Sequence, residues 1–274
     1  MNGFVLKRII KISVIGIVVV AAGVGILNLT FVQEHPLVKE TAHRFESAKT
    51  PLPPSVLHYY NEPAVSLENI HIRALYLVPQ DAQGSIPEGW PRMMATALSK
   101  LADFHHTQFG ETSRVTFSLL ERPVVITNDV FNVLPVGVER AERKDISALD
   151  DFLKEHVYSS RGEYYDEEFG AIPENTFVVD VLFLEAAGAV GGDGFVLLAR
   201  DYVTDPDIFY GTTFLYHEFG HALGMPDRYI YETDAGYQKG EVLSQDVMGS
   251  GRYRPLELTY IDDSIKAAMG AARQ

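Results

Sequence analysis

The chain has 274 residues, of which 46% are hydrophobic and 22% charged, a composition that can supply a full hydrophobic core. It contains no cysteine, which excludes a disulfide framework and any thiolate metal site, so histidine and carboxylate side chains would have to hold a metal. Its 23 basic and 37 acidic side chains give a net charge of −14, which disfavours nucleic acid and anionic membrane surfaces as partners.

The first predicted element is an uncharged apolar run from Ile12 to Val32. As a helix this run would be about 30 Å long, the thickness of the hydrocarbon core of a bilayer. Basic residues precede it and Glu34 follows it, which places the rest of the chain outside the cytoplasm. We predict a single-pass membrane anchor over residues 1–33. The alternative is a signal peptide whose cleavage gives a secreted protein.

Residues 34–65 are predicted to form a stalk, because their several prolines disfavour a long helix or a central strand. A folded domain over residues 66–274 follows. Its predicted elements alternate: strands at 69–78, 114–120, 123–127, 176–184 and 195–202, and helices at 91–109, 145–158 and about 256–272. The nearly continuous apolar run at 176–184 is typical of a strand covered on both faces.

Histidines outside the motif described next carry no prediction of chemistry. His105 and His106 are neighbours on the first predicted helix, so they cannot face one ligand together. We predict that both are partly exposed surface residues, because the apolar stripe of that helix runs elsewhere.

The most informative segment is HEFGHALGMPD, at residues 217–227. On a helix, His217 and His221 lie one turn apart on the same face and can bind one metal ion. Glu218 is placed to act on a metal-bound water as general base. Gly224 suits the sharp end of the helix, and a proline then keeps the helix from resuming. Asp227 follows this break and can return as a third ligand, leaving one position open as in catalytic zinc sites.

Other interpretations of this segment compete with a zinc site. Two histidines at this spacing also occur by chance on solvated helix faces, but the flanking residues here are apolar, and a metal would satisfy the polar groups among them. Three acidic residues are alternatives to Asp227 as third ligand: Glu232, Asp234 and Glu241. Four further aspartates could bind calcium, although solvated loop carboxylates are the competing interpretation: Asp193, Asp201, Asp205 and Asp207.

The run His-Glu-x-x-His-x-x-Gly-x-x-Asp resembles the metzincin metallopeptidases in their variant with aspartate as third ligand, as in snapalysin-like enzymes. Met248, in the run SQDVMGSG, matches the methionine turn that metzincins carry beneath the metal. Residues 217–229 also resemble the immune-inhibitor-A-like peptidases. Many metzincins place a tyrosine two residues after the methionine as oxyanion donor; here that position is Ser250, and Tyr253 is the candidate, with Tyr229 and Tyr231 as alternatives.

The resemblance implies an α+β fold with an α/β-type upper subdomain: a twisted, mostly parallel sheet with an antiparallel edge strand, an active-site helix, a methionine turn and a C-terminal helix. It implies a Zn²⁺ endopeptidase that binds a protein or peptide substrate along the edge strand, which we place at Phe195–Ala199. The predicted protein is therefore a membrane-anchored, extracytoplasmic protease. The alternative is a weakly active or inactive binding module of the same fold, which the intact Glu218 disfavours.

Overall fold

The structure is a computed structural model. It describes residues 56–127, 169, 172–185, 188–192, 194–229 and 244–271. The predicted membrane helix and the predicted helix at 145–158 lie outside the described residues. Within the described ranges, no helix combines the length and the hydropathy that crossing a bilayer requires.

The folded domain includes residues that we had predicted to belong to the stalk. Two short strands, β1 (His58–Tyr59) and β2 (Glu62–Ser66), form an antiparallel pair. Leu57 is fully buried in the core. The backbone N–H of His58 donates to Met269 O at 2.9 Å, and that of Tyr60 donates to Leu223 O at 3.2 Å. These contacts join residues 56–65, the described end of the predicted stalk, to the rest of the domain.

One mixed sheet forms the centre of the domain. Its strands are β3 (Asn69–Pro79), β4 (Arg114–Leu119), β5 (Val124–Ile126), β6 (Phe177–Leu184), β7 (Ala189–Gly192) and β8 (Phe195–Ala199). The order across the sheet is β4-β3-β6-β8-β7, and β5 also pairs with β3. The pairs are parallel except that of β7 with β8. The predicted mostly parallel sheet with one antiparallel edge is thus confirmed.

The described helices pack on this sheet and on one another. They are α1 (Trp90–Phe109), α2 (Asp201–Thr204), α3 (Gly211–Ala222) and α4 (Asp263–Ala268), and short 3-10 turns lie at Gln80–Ser85, Gly110–Thr112, Ser250–Tyr253 and Leu256–Leu258. Helix α1 connects β3 to β4 and contacts both β4 and α3. As predicted, α1 ends at a glycine, Gly110, whose φ of 61° disfavours other residues. Helix α3 contacts β7 and β8.

The edge strand and the C-terminal helix differ from their predictions. Strand β8, predicted as the edge, lies between β6 and β7 with all five residues buried, as its unbroken apolar sequence requires. The edge is β7, a glycine-rich segment in which no strand was predicted. The C-terminal helix is shorter than the predicted range of about 256–272. Asp262 is its N-cap, and the side chain of Asp262 accepts the N–H of Ser264 at 2.8 Å.

A buried ion pair joins the two central strands. Arg73 on β3 and Asp180 on β6 are register partners, and Arg73 Nε and Nη2 donate to the two carboxylate oxygens at 2.8 and 3.1 Å. Both side chains are buried, at 2% and 0% exposure, so either residue alone would leave an uncompensated charge in the core. The pair specifies the register of β3 against β6, since a slip by one residue would separate the two charges.

The prediction that His105 is exposed was wrong. Its side chain is fully buried, and its ring contacts Phe109 and Tyr216. Ser113 donates its proton to Leu67 O at 2.6 Å, so His105 Nε2–H must donate to Ser113 Oγ at 2.8 Å. His105 Nδ1 is then unprotonated and accepts the hydroxyl proton of Tyr216 at 3.0 Å. Burial lowers the pKa of His105 to about 3, which keeps the ring neutral.

We expect His105 to make the domain acid-sensitive. In the unfolded chain His105 titrates near its ordinary pKa of about 6.5, whereas the folded protein resists protonation down to about 3. The unfolded state therefore binds more protons, and the free energy of unfolding should fall as the pH drops through this window. Urea titrations of the wild type and of His105→Gln between pH 7 and 4 should show a shallower loss in the variant. The control is His106→Gln, because His106 is 60% exposed. Parallel curves for the wild type and His105→Gln would contradict this account.

Candidate metal centre

The end of α3 gives the ligand segment its shape. Gly224 has φ = 82°, and its N–H donates to His221 O at 2.9 Å. The N–H of Met225 donates to Gly220 O at 2.9 Å, which completes a Schellman motif. A Cβ on Gly224 would lie 2.3 Å from Cε1 of Tyr59, so packing as well as conformation requires glycine. The chain reverses here, and Asp227 returns toward the face of α3 that carries the histidines.

Three ligand-type atoms converge at this point. His217 Nε2 and His221 Nε2 are 3.2 Å apart, and Asp227 Oδ1 lies 3.4 Å from the first and 3.2 Å from the second. A tetrahedral zinc ion with ligand distances of about 2.0–2.1 Å has ligand atoms about 3.3–3.4 Å apart. Among the described residues this is the one cluster of three histidine or acidic side chains that could hold a metal. The triangle has the size of one face of such a tetrahedron.

Backbone carbonyls fix the orientation of both histidine rings. His217 Nδ1 lies 3.0 Å from Val247 O, and His221 Nδ1 lies 2.9 Å from Met225 O. A carbonyl only accepts, so each Nδ1 carries the proton and each Nε2 presents a lone pair to the centre. This is the usual outer-shell arrangement of metal-binding histidines.

The centre therefore contains acceptor atoms that need a cation. Two nitrogen lone pairs and a carboxylate oxygen face one another within 3.4 Å, which is repulsive unless a positive charge lies between them. Burial acts to lower the pKa of His221, but the hydrogen bond and charge of Asp227 outweigh it and raise the pKa above its ordinary value. One proton on His221 relieves part of the repulsion, whereas a metal ion would satisfy all three atoms. The donor set of two imidazoles and one carboxylate suits zinc.

Glu218 occupies the position of a proton acceptor beside this centre. It follows His217 on α3 and is 7% exposed. Burial raises the pKa of its carboxyl to about 7, although the backbone N–H of Gly191 donates to it and opposes the shift. Strand β7 lies against α3 here, since a Cβ on Gly191 would be 2.1 Å from the carbonyl oxygen of Glu218. Only glycine allows this approach of edge strand and helix, which brings a main-chain donor to the carboxylate.

Met248 lies in a turn beneath α3. Its side chain is fully buried, and a Cβ on Gly220 would lie 2.6 Å from its sulfur. The glycine in the middle of the helix thus makes room for the methionine. The turn also supports the ligands through its backbone: Val247 O accepts from His217, and Met248 O accepts the N–H of Arg228 at 2.8 Å. Met248 makes an apolar floor, and the carbonyls on either side of its Cα hold the ligand segment.

The candidate tyrosines have different partners. The hydroxyl of Tyr229 donates to Asp227, and its ring lies nearly parallel to that of His217, with centroids 6.1 Å apart. Tyr253 is 44% exposed, and its hydroxyl oxygen accepts a proton of Arg252 Nη2 at 3.3 Å. Sequence reasoning missed Arg252, which is 2% exposed beside these rings. The available signal in the sequence was a charged residue only four positions after Met248, in a segment expected to be buried.

Several predicted ligands do not enter the centre or lie outside the described residues. The three alternatives to Asp227 are outside them: Glu232, Asp234 and Glu241. Tyr231 and Asp193 are outside them as well. The remaining candidates for calcium bind elsewhere: Asp201 pairs with Arg200 at 2.8 Å, and Asp205 accepts the N–H of Asp207 at 2.9 Å in a turn. Within the described part of the chain these carboxylates do not belong to a cluster of three histidine or acidic side chains.

Comparison with models of known protein families gave no match, and a search of curated proteins found no significant relative. The residues and geometry of this centre therefore carry the functional interpretation.

Proposed function

We propose that the chain is a zinc-dependent endopeptidase of the metzincin type, in which His217, His221 and Asp227 hold the metal. The observation that carries the proposal is the convergence of three ligand-type atoms at 3.2–3.4 Å, with a buried carboxylate beside them. The mostly parallel sheet with its antiparallel edge strand, and the methionine beneath α3, are consistent with it.

Peptide hydrolysis follows from the chemistry of these groups. Zinc held by His217, His221 and Asp227 would polarise a substrate carbonyl and would make a water molecule acidic near neutral pH. Glu218 accepts a proton as the water oxygen attacks the carbonyl carbon, and then passes this proton to the amine nitrogen as the carbon–nitrogen bond breaks. Its raised pKa suits both transfers, because a group that titrates near the working pH can accept and release the proton.

Strand β7 supports a peptide as the substrate. It is the antiparallel edge of the sheet, its four residues are partly exposed, and it contacts α3. An extended peptide can pair with such an edge through main-chain hydrogen bonds. Because Gly191 also touches Glu218, a peptide paired with β7 would pass the proton acceptor. This replaces Phe195–Ala199 as the proposed docking strand.

Tyr253 is the proposed oxyanion donor. Arg252 donates to the hydroxyl oxygen of Tyr253. Among the described residues the hydroxyl proton of Tyr253 has no acceptor, so it is free to donate to a substrate oxygen. Its half-exposed ring packs edge-on against Phe214 of α3, with centroids 5.3 Å apart. The hydroxyl of Tyr229 already donates to Asp227, which makes it the weaker candidate.

Removal and return of the metal tests the proposal. The full-length protein should contain about one zinc ion per chain and cleave an unstructured protein such as casein. Treatment with a chelator should abolish cleavage, and stoichiometric zinc should restore it. Metal content by atomic spectroscopy and digestion by gel electrophoresis provide the measurements. A protein that binds zinc without cleaving would instead support the binding module, and a protein that binds no zinc would refute the zinc-dependent enzyme.

We also propose that residues 1–33 anchor the enzyme in a membrane with the catalytic domain outside the cytoplasm. The uncharged run Ile12–Val32 supports this. The full-length protein should remain with the membrane fraction through a carbonate wash, while a chain lacking residues 1–33 should be soluble. Sequencing a mature N-terminus between Val20 and Glu34 would show a secreted enzyme instead.

A further inference from the structure

Arg252 is a buried cation beside the proposed metal site. It lies in the 3-10 turn Ser250–Tyr253, directly after the methionine turn, and its side chain is 2% exposed. Buried arginines usually pair with a carboxylate. In the described part of the chain Arg252 has no such pair; it donates to Gly249 O at 2.9 Å and to the Tyr253 hydroxyl at 3.3 Å. Its position needs another explanation.

The guanidinium is held between two aromatic rings. Its Cζ lies 3.7 Å from the ring centroid of Tyr229 and 4.7 Å from that of Tyr253. Both distances are within the range of cation–π attraction, which is strongest where the cation is desolvated. The ring of His217 also lies nearly parallel to that of Tyr229, at 25°. The Tyr229 ring thus stacks with a guanidinium and with the imidazole of a proposed ligand.

Tyr229 connects this stack to the least buried ligand. Asp227 has a 36% exposed side chain and follows the reversal of the chain after α3, so its carboxylate has more freedom than the two histidine rings. The hydroxyl of Tyr229 donates to this carboxylate. Fixing the plane of the Tyr229 ring therefore fixes a hydrogen bond that orients the third ligand.

We propose that Arg252 is a positioning residue that holds the Tyr229 ring, and through its hydroxyl the Asp227 carboxylate, in the geometry required for metal binding. The inference rests on the proposed metal site. Arg252 does not bind substrate in this role, because its side chain has almost no exposed surface. A planar guanidinium suits the task better than an ammonium, since it stacks on a ring while its edges donate to Gly249 and Tyr253.

Zinc affinity of the full-length protein, measured by competition with a chromophoric chelator, tests this role. Tyr229→Phe, which removes the hydroxyl and keeps the ring, should weaken zinc binding about 10- to 100-fold, the usual cost of losing an outer-shell partner. Arg252→Met and Arg252→Lys should weaken it over the same range. The absorption spectrum of the cobalt-substituted protein should change in these variants, because the geometry of the third ligand changes.

Two comparisons separate positioning from a general loss of structure. In the Asp227→Ala background, Arg252→Met should cause no further loss of zinc affinity, because both changes act through the same carboxylate. The matched control is Arg254→Met, which removes an exposed arginine whose side chain donates to Gln245, and it should leave affinity unchanged. The melting temperature of each metal-free variant reports folding.

The outcomes are distinct. Affinities of Arg252→Met and Tyr229→Phe within threefold of wild type would overturn the proposal, as would full rescue by Arg252→Lys, which would mean that charge alone matters. If Arg252→Met does not fold, Tyr229→Phe and Arg252→Lys decide by the same criteria. A wild-type protein without zinc affinity would refute the proposed function itself. That outcome is visible in the wild type alone, so it is distinct from failure of the role of Arg252.

Discussion

Replacing Glu218 with alanine is expected to leave zinc content unchanged and to lower peptidase activity by about two to four orders of magnitude. The carboxylate is not one of the three converging ligand atoms, so its loss should not empty the site. It is the buried acid whose pKa is raised to about 7 beside the centre, and no other acidic side chain among the described residues replaces it there. Metal analysis and kcat/KM on a fluorogenic peptide measure the two effects separately.

Glu218→Gln is the matched control for shape. The amide keeps the volume of the side chain but cannot accept the proton, so its activity should fall as far as that of the alanine variant. If zinc is lost together with activity in both variants, Glu218 holds the structure of the site and its assignment as proton acceptor fails. If Glu218→Gln retains activity, another group accepts the proton.

Replacing Asp227 with alanine is expected to weaken zinc binding by far more than the outer-shell variants. The site would keep two imidazole ligands, and a structural or catalytic zinc needs at least three protein ligands. Activity should be lost in parallel, and excess zinc should restore part of it. Asp227→His should retain metal. It should also move the acid limb of the pH–rate profile to lower pH, because a neutral ligand leaves the metal more electrophilic.

Three acidic residues that follow Asp227 in the sequence serve as its controls. Glu232→Ala, Asp234→Ala and Glu241→Ala should each keep full zinc occupancy. If one of them empties the site while Asp227→Ala does not, that residue is the third ligand, and the aspartate-type metzincin assignment is incorrect. Occupancy per chain, measured after dialysis, decides between the two ligand sets.

The parts that could be predicted from sequence depend on local chemistry. A helical spacing of four places His217 and His221 on one face, and Gly224 marks a helix end that the Schellman bonds bear out. The apolar run of β6 likewise indicated a strand covered on both faces. These features involve residues within a few positions of one another, so one stretch of sequence contains the whole cause.

The parts that could not be predicted depend on partners distant in sequence. The sequence around His105 predicts an exposed residue, because its buried partner Tyr216 lies 111 positions later in the chain. The sequence places the edge strand at β8, whereas the edge is the glycine-rich β7, whose Gly191 packs against Glu218 of α3 from 27 positions earlier in the chain. The guanidinium of Arg252 contacts the rings of Tyr229 and Tyr253, and the first of these lies 23 positions earlier in the chain.

The pairing of Arg73 with Asp180 also bears on how fast the protein can fold. These residues are 107 positions apart. Strand β3 is hydrogen-bonded along both edges only after β4 and β6 have paired with it. Loops of this length close slowly, so the topology favours slow folding and leaves an apolar strand of 11 residues uncovered in the meantime. The backbone acceptor that orients His217 is Val247 O, 30 residues after His217. We therefore expect the proposed metal site to be complete only after residue 247 has been synthesised and folded against α3.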